Sequence, residues 1–303
     1  MSIKISLKKN ISEKNIKNYV LFADENFKIN GLSRLSLNKQ SNLLNKAIIS
    51  NKLYTKTFLQ FNLNPSQKII LIKLKKNQSS VDNEKKGAEF YKYVKENNIF
   101  NQTFFENNIK DTFPKNKIFI DEFLHGIQLK SYEFEKYKTK KTEKEFDIKI
   151  SFKTNLFKLS TNKRFNSLLK GVSLTKDLVS EPGNILHPDE YAKRITQLRK
   201  IGLKINVYDK KKLKKLGMNA LLGVGQGSIR GSYLVTMEWR GTKLKKKPLA
   251  FVGKGVCFDT GGISLKPAKF MEDMTYDMAG SAVVVGLMKN LALRKAKINA
   301  VGV

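Results

Sequence analysis

The most constraining stretch of the 303-residue chain runs from Gly253 to Gly280. It begins Gly253-Lys254-Gly255-Val256-Cys257-Phe258-Asp259-Thr260-Gly261-Gly262-Ile263-Ser264-Leu265-Lys266 and closes Met274-Thr275-Tyr276-Asp277-Met278-Ala279-Gly280. Before it, Leu249-Ala250-Phe251-Val252 is a short apolar run bounded by Pro248 and a glycine, which predicts a buried, central parallel strand. Lys254 then leaves a strand end, where open α/β sheets form their sites. In these two segments two lysines and two aspartates thus stand among apolar and glycine residues, whereas the other lysines lie mostly in polar surroundings.

Ionised Asp259 and Asp277 can hold divalent cations, since carboxylate oxygen is a donor common to magnesium, manganese and zinc sites. An ammonium beside a dication is repelled unless it sheds its proton, and the neutral amine is then a good nitrogen ligand. One lysine can therefore coordinate while the other stays charged. A charged lysine facing a metal pair suits reactions in which negative charge builds on a carbonyl oxygen, as in amide hydrolysis. Gly261-Gly262 lets the backbone fold tightly beside the ions. The same residues also read as a glycine-rich turn with ordinary surface lysines, and composition alone leaves both readings open.

The segment resembles the signature of the leucyl aminopeptidase family, the two-metal cytosolic aminopeptidases, in its Gly-Lys-Gly, Phe-Asp, Gly-Gly and Lys-Pro steps and its Asp-Met-x-Gly close. The resemblance implies that Lys254 and Asp277 ligate the tighter metal, that Asp259 bridges both ions and that Lys266 polarises the scissile carbonyl. It also implies that Met274 lines the pocket for the substrate's first side chain. The implied function is metal-dependent release of N-terminal amino acids from peptides, by metal-hydroxide attack on the first peptide bond. Two divalent ions per site, manganese or zinc, and a homohexamer when full length belong to the same implication. The family's Asn-Thr-Asp-Ala-Glu-Gly-Arg element, which completes both metal spheres, does not occur in these 303 residues. The resemblance therefore implies a C-terminally truncated member, weakly active or inactive alone.

A chain that is 41% hydrophobic can bury sizeable cores, and its length favours two domains. No apolar run reaches the roughly 18 residues of a membrane span, and no signal-like segment opens the chain, so a cytoplasmic location is expected. One cysteine excludes an intrachain disulfide, and Cys257 reads as core packing. The net charge of +32 raises the question of nucleic acid, but only seven of the 58 basic residues are arginine. Arginine is the better reader of phosphates and base edges, so the lysine bias argues against specific nucleic-acid recognition. The alternatives are a non-catalytic basic DNA-binding relative and an inactive fragment of the family.

Along the chain, alternating strands and helices predict an α/β fold in two domains: a mixed-sheet N-terminal domain and a truncated, largely parallel-sheet catalytic domain. The expected divisions are 1–150, a connecting helix at 151–170, and 171–303. Lys68–Leu74 and Lys117–Ile120 read as strands, Glu84–Val94 and Glu122–Tyr132 as helices. His125 reads as a satisfied or exposed histidine, and Lys138–Lys144 as a solvated loop. Helical periodicity from Phe165 to Val179 predicts a helix joining the domains. Pro182-Gly183 ends it, Pro188 starts the next, and His187 stands at that start. The stretch from Asp177 to Tyr191 is also similar to a family element. Lys204–Tyr208 predicts a strand and Lys210–Leu216 a basic helix. Gly223, Gly225 and Gly227 lack the lysine-serine ending of a phosphate loop and read as a tight turn before a strand at Tyr233–Trp239. Ala279–Ala292 predicts a buried helix with Asp277 at its positive end, and Asn299–Val303 a strand without neighbours to bury it.

Overall fold

The computed structural model describes residues 3–9, 11–31, 42, 44, 46, 49, 55–75, 77–113, 118–140, 146–152, 163–243 and 247–303. The chain forms two compact units, Met1–Asn162 and Lys163–Val303. Among the described residues no helix is long and apolar enough to cross a membrane.

The first unit contains β1 (Ile3–Lys9), β2 (Asn18–Ala23), β3 (Phe58–Asn64), β4 (Gln67–Lys73), β5 (Asn101–Phe105) and β6 (Phe146–Phe152). They form one sheet in the order β1-β6-β5-β2-β4-β3, with every pairing parallel except β3–β4. Val20, Leu21 and Phe22 of β2 and Ile69 through Ile72 of β4 have no exposed surface. Such unbroken apolar runs are what a strand covered on both faces requires. Among the described helices are α1 (Ser80–Glu96), α2 (Glu106–Thr112) and α3 (Phe119–Lys130). A reciprocal cap between Ser79 and Asp82 starts α1. Where α1 meets α3, a Cβ on Gly87 would lie 1.9 Å from the Phe123 carbonyl oxygen, and one on Gly126 1.9 Å from that of Glu84. Only glycine permits this approach.

The strand expected at Lys117–Ile120 is corrected. Lys117 lies outside the described residues, and Phe119 and Ile120 open α3. Phe119, Ile120, Phe123, Leu124 and Ile127 are all buried, a stripe at helical spacing of which the first two residues were mistaken for a strand. His125 is buried, with Nδ1 3.0 Å from Glu84 Oε1. Residues 141–144 of the expected loop, and 153–162 of the expected connecting helix, lie outside the described residues.

The second unit has β7 (Lys204–Tyr208), β8 (Leu234–Arg240), β9 (Leu249–Phe251) and β10 (Asn299–Gly302), in the order β7-β8-β10-β9. Its helices are α4 (Lys163–Ser180), α5 (Pro188–Thr196), α6 (Lys210–Lys215), α7 (Asn219–Val224), α8 (Ala268–Met271) and α9 (Ala279–Leu293). The fold is α/β with two sheets. The parallel character expected of the second sheet is confined to β9–β10; β10–β8 and β7–β8 are antiparallel.

Two positional expectations are also corrected. Among the described strands β9 lies at the edge, with Leu249 55% exposed. The central place belongs to β10, flanked by β8 and β9, with Ala300 fully buried. An apolar run reports affinity for a sheet, not which flank is covered. Helix α4 packs on α9 within this unit: Thr175 Oγ1 donates to the Ala282 carbonyl at 3.0 Å, and a Cβ on Gly171 would meet the Gly286 carbonyl oxygen at 2.6 Å.

Candidate active site

The site begins where β9 runs out. The ladder with β10 is extended by Val303 N–H donating to the Phe251 carbonyl at 2.8 Å and Gly253 N–H donating to that of Val303 at 2.9 Å. The next residue, Lys254, is caught by α9: the Ser281 N–H, one of the donors a helix start leaves free, reaches the Lys254 carbonyl at 2.9 Å. Gly253 and Gly280 make the approach possible. Asp277 ends the 3-10 turn Glu272–Tyr276 and immediately precedes Met278, the N-cap of α9.

These tethers bring together side chains far apart in sequence. Lys254 Nζ donates to Asp277 Oδ1 at 2.7 Å, and this bond is the main reason the Lys254 amine is raised above its ordinary pKa. The other carboxylate oxygen, Asp277 Oδ2, is buried and accepts no hydrogen bond.

A second pair lies on the glycine loop. Asp259 Oδ1 accepts from the Gly261 N–H at 2.8 Å, and Oδ2 is 3.3 Å from Lys266 Nζ. The Gly261 N–H, then Lys266, hold the Asp259 carboxyl below the usual range. Gly261 and Gly262 have φ of 90° and 78°, the left-handed region that side chains resist. The Lys266 N–H closes the loop on the Thr260 carbonyl at 2.9 Å. The two pairs feel each other: Asp259 contributes to the raised Lys254, and Lys254 to the lowered Asp259.

Lys254, Asp259, Lys266 and Asp277 thus form two linked lysine–aspartate pairs, while Met274 is half-buried in the turn before Asp277. Among the described residues no group of three or more His, Cys, Asp and Glu is placed to hold a metal. The donors at hand are two carboxylates and an amine. A buried carboxylate oxygen with no N–H or O–H to accept from is suited to a cation.

Around them, Cys257 is buried and its thiol is pushed up to about 12 by desolvation, which suits packing rather than thiolate chemistry. His187 caps α5 through Nδ1, which accepts from the Glu190 N–H at 3.4 Å. A cavity of about 580 Å³ is lined by His187, Tyr191, Tyr233, Phe258 and Val303 among others, and of the predicted site residues only Lys254 reaches it. Tyr191 and Ser281, joined by a 3.0 Å hydrogen bond, were missed by sequence reasoning. A lone tyrosine and a lone serine carry no spacing signal.

Residues 173–303 match the family described as the cytosol aminopeptidase family, catalytic domain. This match lies within the second unit. A probable cytosol aminopeptidase of Phytoplasma australiense is 54% identical over 184 residues, covering 60% of this chain and 37% of that protein. One of Brucella ovis is 53% identical over 184 residues, covering 59% and 37%. The match thus spans little more than a third of the length of these cytosol aminopeptidases. Among solved structures, a tomato leucine aminopeptidase mutant has a TM-score of 0.76 at 24% identity, covering 99% of this chain and 62% of that one. A bottromycin maturation enzyme in complex with Mn has a TM-score of 0.70 at 19% identity, covering 94% and 58%. These two share the fold. The likeness to cytosol aminopeptidases does not favour the DNA-binding alternative.

Proposed function

We propose that the chain carries the core of a metal-dependent aminopeptidase that releases N-terminal amino acids from peptides. The observation that carries this reading is the convergence of Lys254 on Asp277, beside Lys266 on Asp259, with Asp277 Oδ2 buried and unpaired. In this reading Lys254 and Asp277 would hold one divalent ion and Asp259 would bridge to a second, manganese or zinc. Hard oxygens with one amine fit part of such a centre, and Lys254 would have to shed the proton it donates to Asp277 in order to bind. When bound, the ions would supply water acidic enough to attack at neutral pH and would polarise the first peptide carbonyl.

The chain's own residues do the rest. Lys266 faces the carbonyl oxygen as negative charge builds there, Asp259 orients Lys266 until substrate arrives, and Met274 walls the place of the first side chain. The full-length protein is proposed to be a cytoplasmic homohexamer acting on peptides.

The test is a paramagnetic-resonance titration of Mn2+ into the purified chain, with release of leucine from a leucyl peptide assayed in parallel. Binding weakened at least about ten-fold in Asp277→Asn, and turnover that needs both Mn2+ and Lys266, support the reading. Binding indifferent to Asp277→Asn, with turnover indifferent to chelator, overturns it.

A further inference from the structure

The Lys254–Asp277 pair is held from behind. Ser281 stands in the first turn of α9, and its N–H is the donor to the Lys254 carbonyl at 2.9 Å. Its hydroxyl gives its only proton to the Met278 carbonyl at 2.8 Å. The 3.0 Å contact with the Tyr191 hydroxyl is therefore donated by Tyr191, because Ser281 has no second proton to offer. Tyr191 is itself 5% exposed and comes from α5, an element that supplies none of the predicted site residues.

The chain of contacts has a direction. Tyr191 fixes the Ser281 hydroxyl, which pins the Met278 carbonyl one residue after Asp277. The Ser281 N–H, on the same residue, pins Lys254. Both members of the pair are thus referred to one serine, and that serine to one buried tyrosine. Burial raises the Tyr191 hydroxyl well above its ordinary pKa, so it remains a donor throughout the neutral and mildly alkaline range.

We propose that Tyr191 is a positioning residue for the Lys254–Asp277 pair, acting through Ser281 and setting the affinity of the site for a divalent ion. This rests on the reading of the pair as metal ligands. Partners that orient metal ligands from behind typically change metal affinity about 10- to 100-fold when removed.

The experiment combines Mn2+ titration followed by paramagnetic resonance with amide hydrogen exchange at Ser281, on the whole 303-residue chain. Tyr191→Phe keeps the ring and removes the donor; Ser281→Ala removes the relay; Ser281→Thr restores a hydroxyl. The expected result is Mn2+ binding about ten-fold weaker in Tyr191→Phe and Ser281→Ala, faster exchange of the residue-281 amide with β10 amides unchanged, and recovery of both in Ser281→Thr. Wild-type Mn2+ affinity and wild-type exchange in Tyr191→Phe overturn the proposal. If wild-type Mn2+ binding ignores Asp277→Asn, it is the metal reading that fails, and exchange alone then decides: faster in Tyr191→Phe supports the tie, unchanged overturns it. Should Tyr191→Phe not fold, Ser281→Ala carries the same comparison.

Discussion

Gly253 lies so close to Gly280 that a Cβ added to it would stand 2.5 Å from the Gly280 carbonyl oxygen. The strand end that presents Lys254 and the helix start that follows Asp277 meet backbone to backbone, with no room for a side chain. Gly253→Ala must push them apart. It is expected to cost about 1–3 kcal/mol and to weaken Mn2+ binding as well. Urea unfolding followed by the fluorescence of Trp239, the only tryptophan in the sequence, checks the first effect. An unchanged midpoint would show that the contact relaxes freely.

Lys266 is the charged group proposed to meet the developing oxyanion. Lys266→Ala should lower turnover of a leucyl peptide by about 10²- to 10³-fold while leaving Mn2+ affinity within a few-fold of wild type. A loss of affinity as large as the loss of rate would make Lys266 a supporter of the ions instead. Steady-state kinetics beside a Mn2+ titration separates the two.

In the first unit the α1–α3 crossing is a close backbone contact. Gly87→Ala places a methyl 1.9 Å from the Phe123 carbonyl oxygen and should destabilise by about 2 kcal/mol or more. Trp239 hydrogen-bonds the Ala296 carbonyl at 2.9 Å within the second unit. Its fluorescence midpoint should therefore stay put while the far-ultraviolet circular dichroism transition shifts to lower urea. Coincident shifts would mean that the units unfold together.

The pH dependence of the second unit has an identifiable contributor. The Tyr233 hydroxyl donates to Asp189 Oδ1 at 2.7 Å, and that bond is the main cause holding the Asp189 carboxyl below its ordinary value. A folded pKa below the unfolded value of about 3.9 gives stability that is fully present above that pH. It is lost as pH falls through the folded value. Tyr233→Phe should cost about 0.5–1 kcal/mol at pH 7, the lower end reflecting partial exposure, and the gap should narrow below about pH 4. Paired urea titrations at pH 7 and pH 3 measure it, and a constant gap would assign the effect to packing.

Much of this molecule was legible in the chain because the relevant signals are local. Pro188 and the acidic residues behind it marked the start of α5, and the alternation in Lys204–Tyr208 marked β7 to the residue. The lysine–aspartate spacing stood out only through its resemblance to a family signature, because composition alone left a glycine-rich turn with surface lysines equally open. The misread strand at Phe119–Ile120 shows where locality fails, because two apolar residues that open a buried helix look the same as two in a strand. Tyr191 and Ser281 were invisible because they meet through a hydrogen bond between α5 and α9, a tertiary fact with no counterpart in either residue's neighbourhood. The place of β9 likewise depended on which strand would flank it.

Among the described strands, β9 pairs only with β10. Its outer rail is an unfinished seam. Any extended backbone laid along it, from the same polypeptide or another, would be zipped in beside Gly253 and Lys254, so at this margin growth of the sheet and bracing of the chemistry become one event.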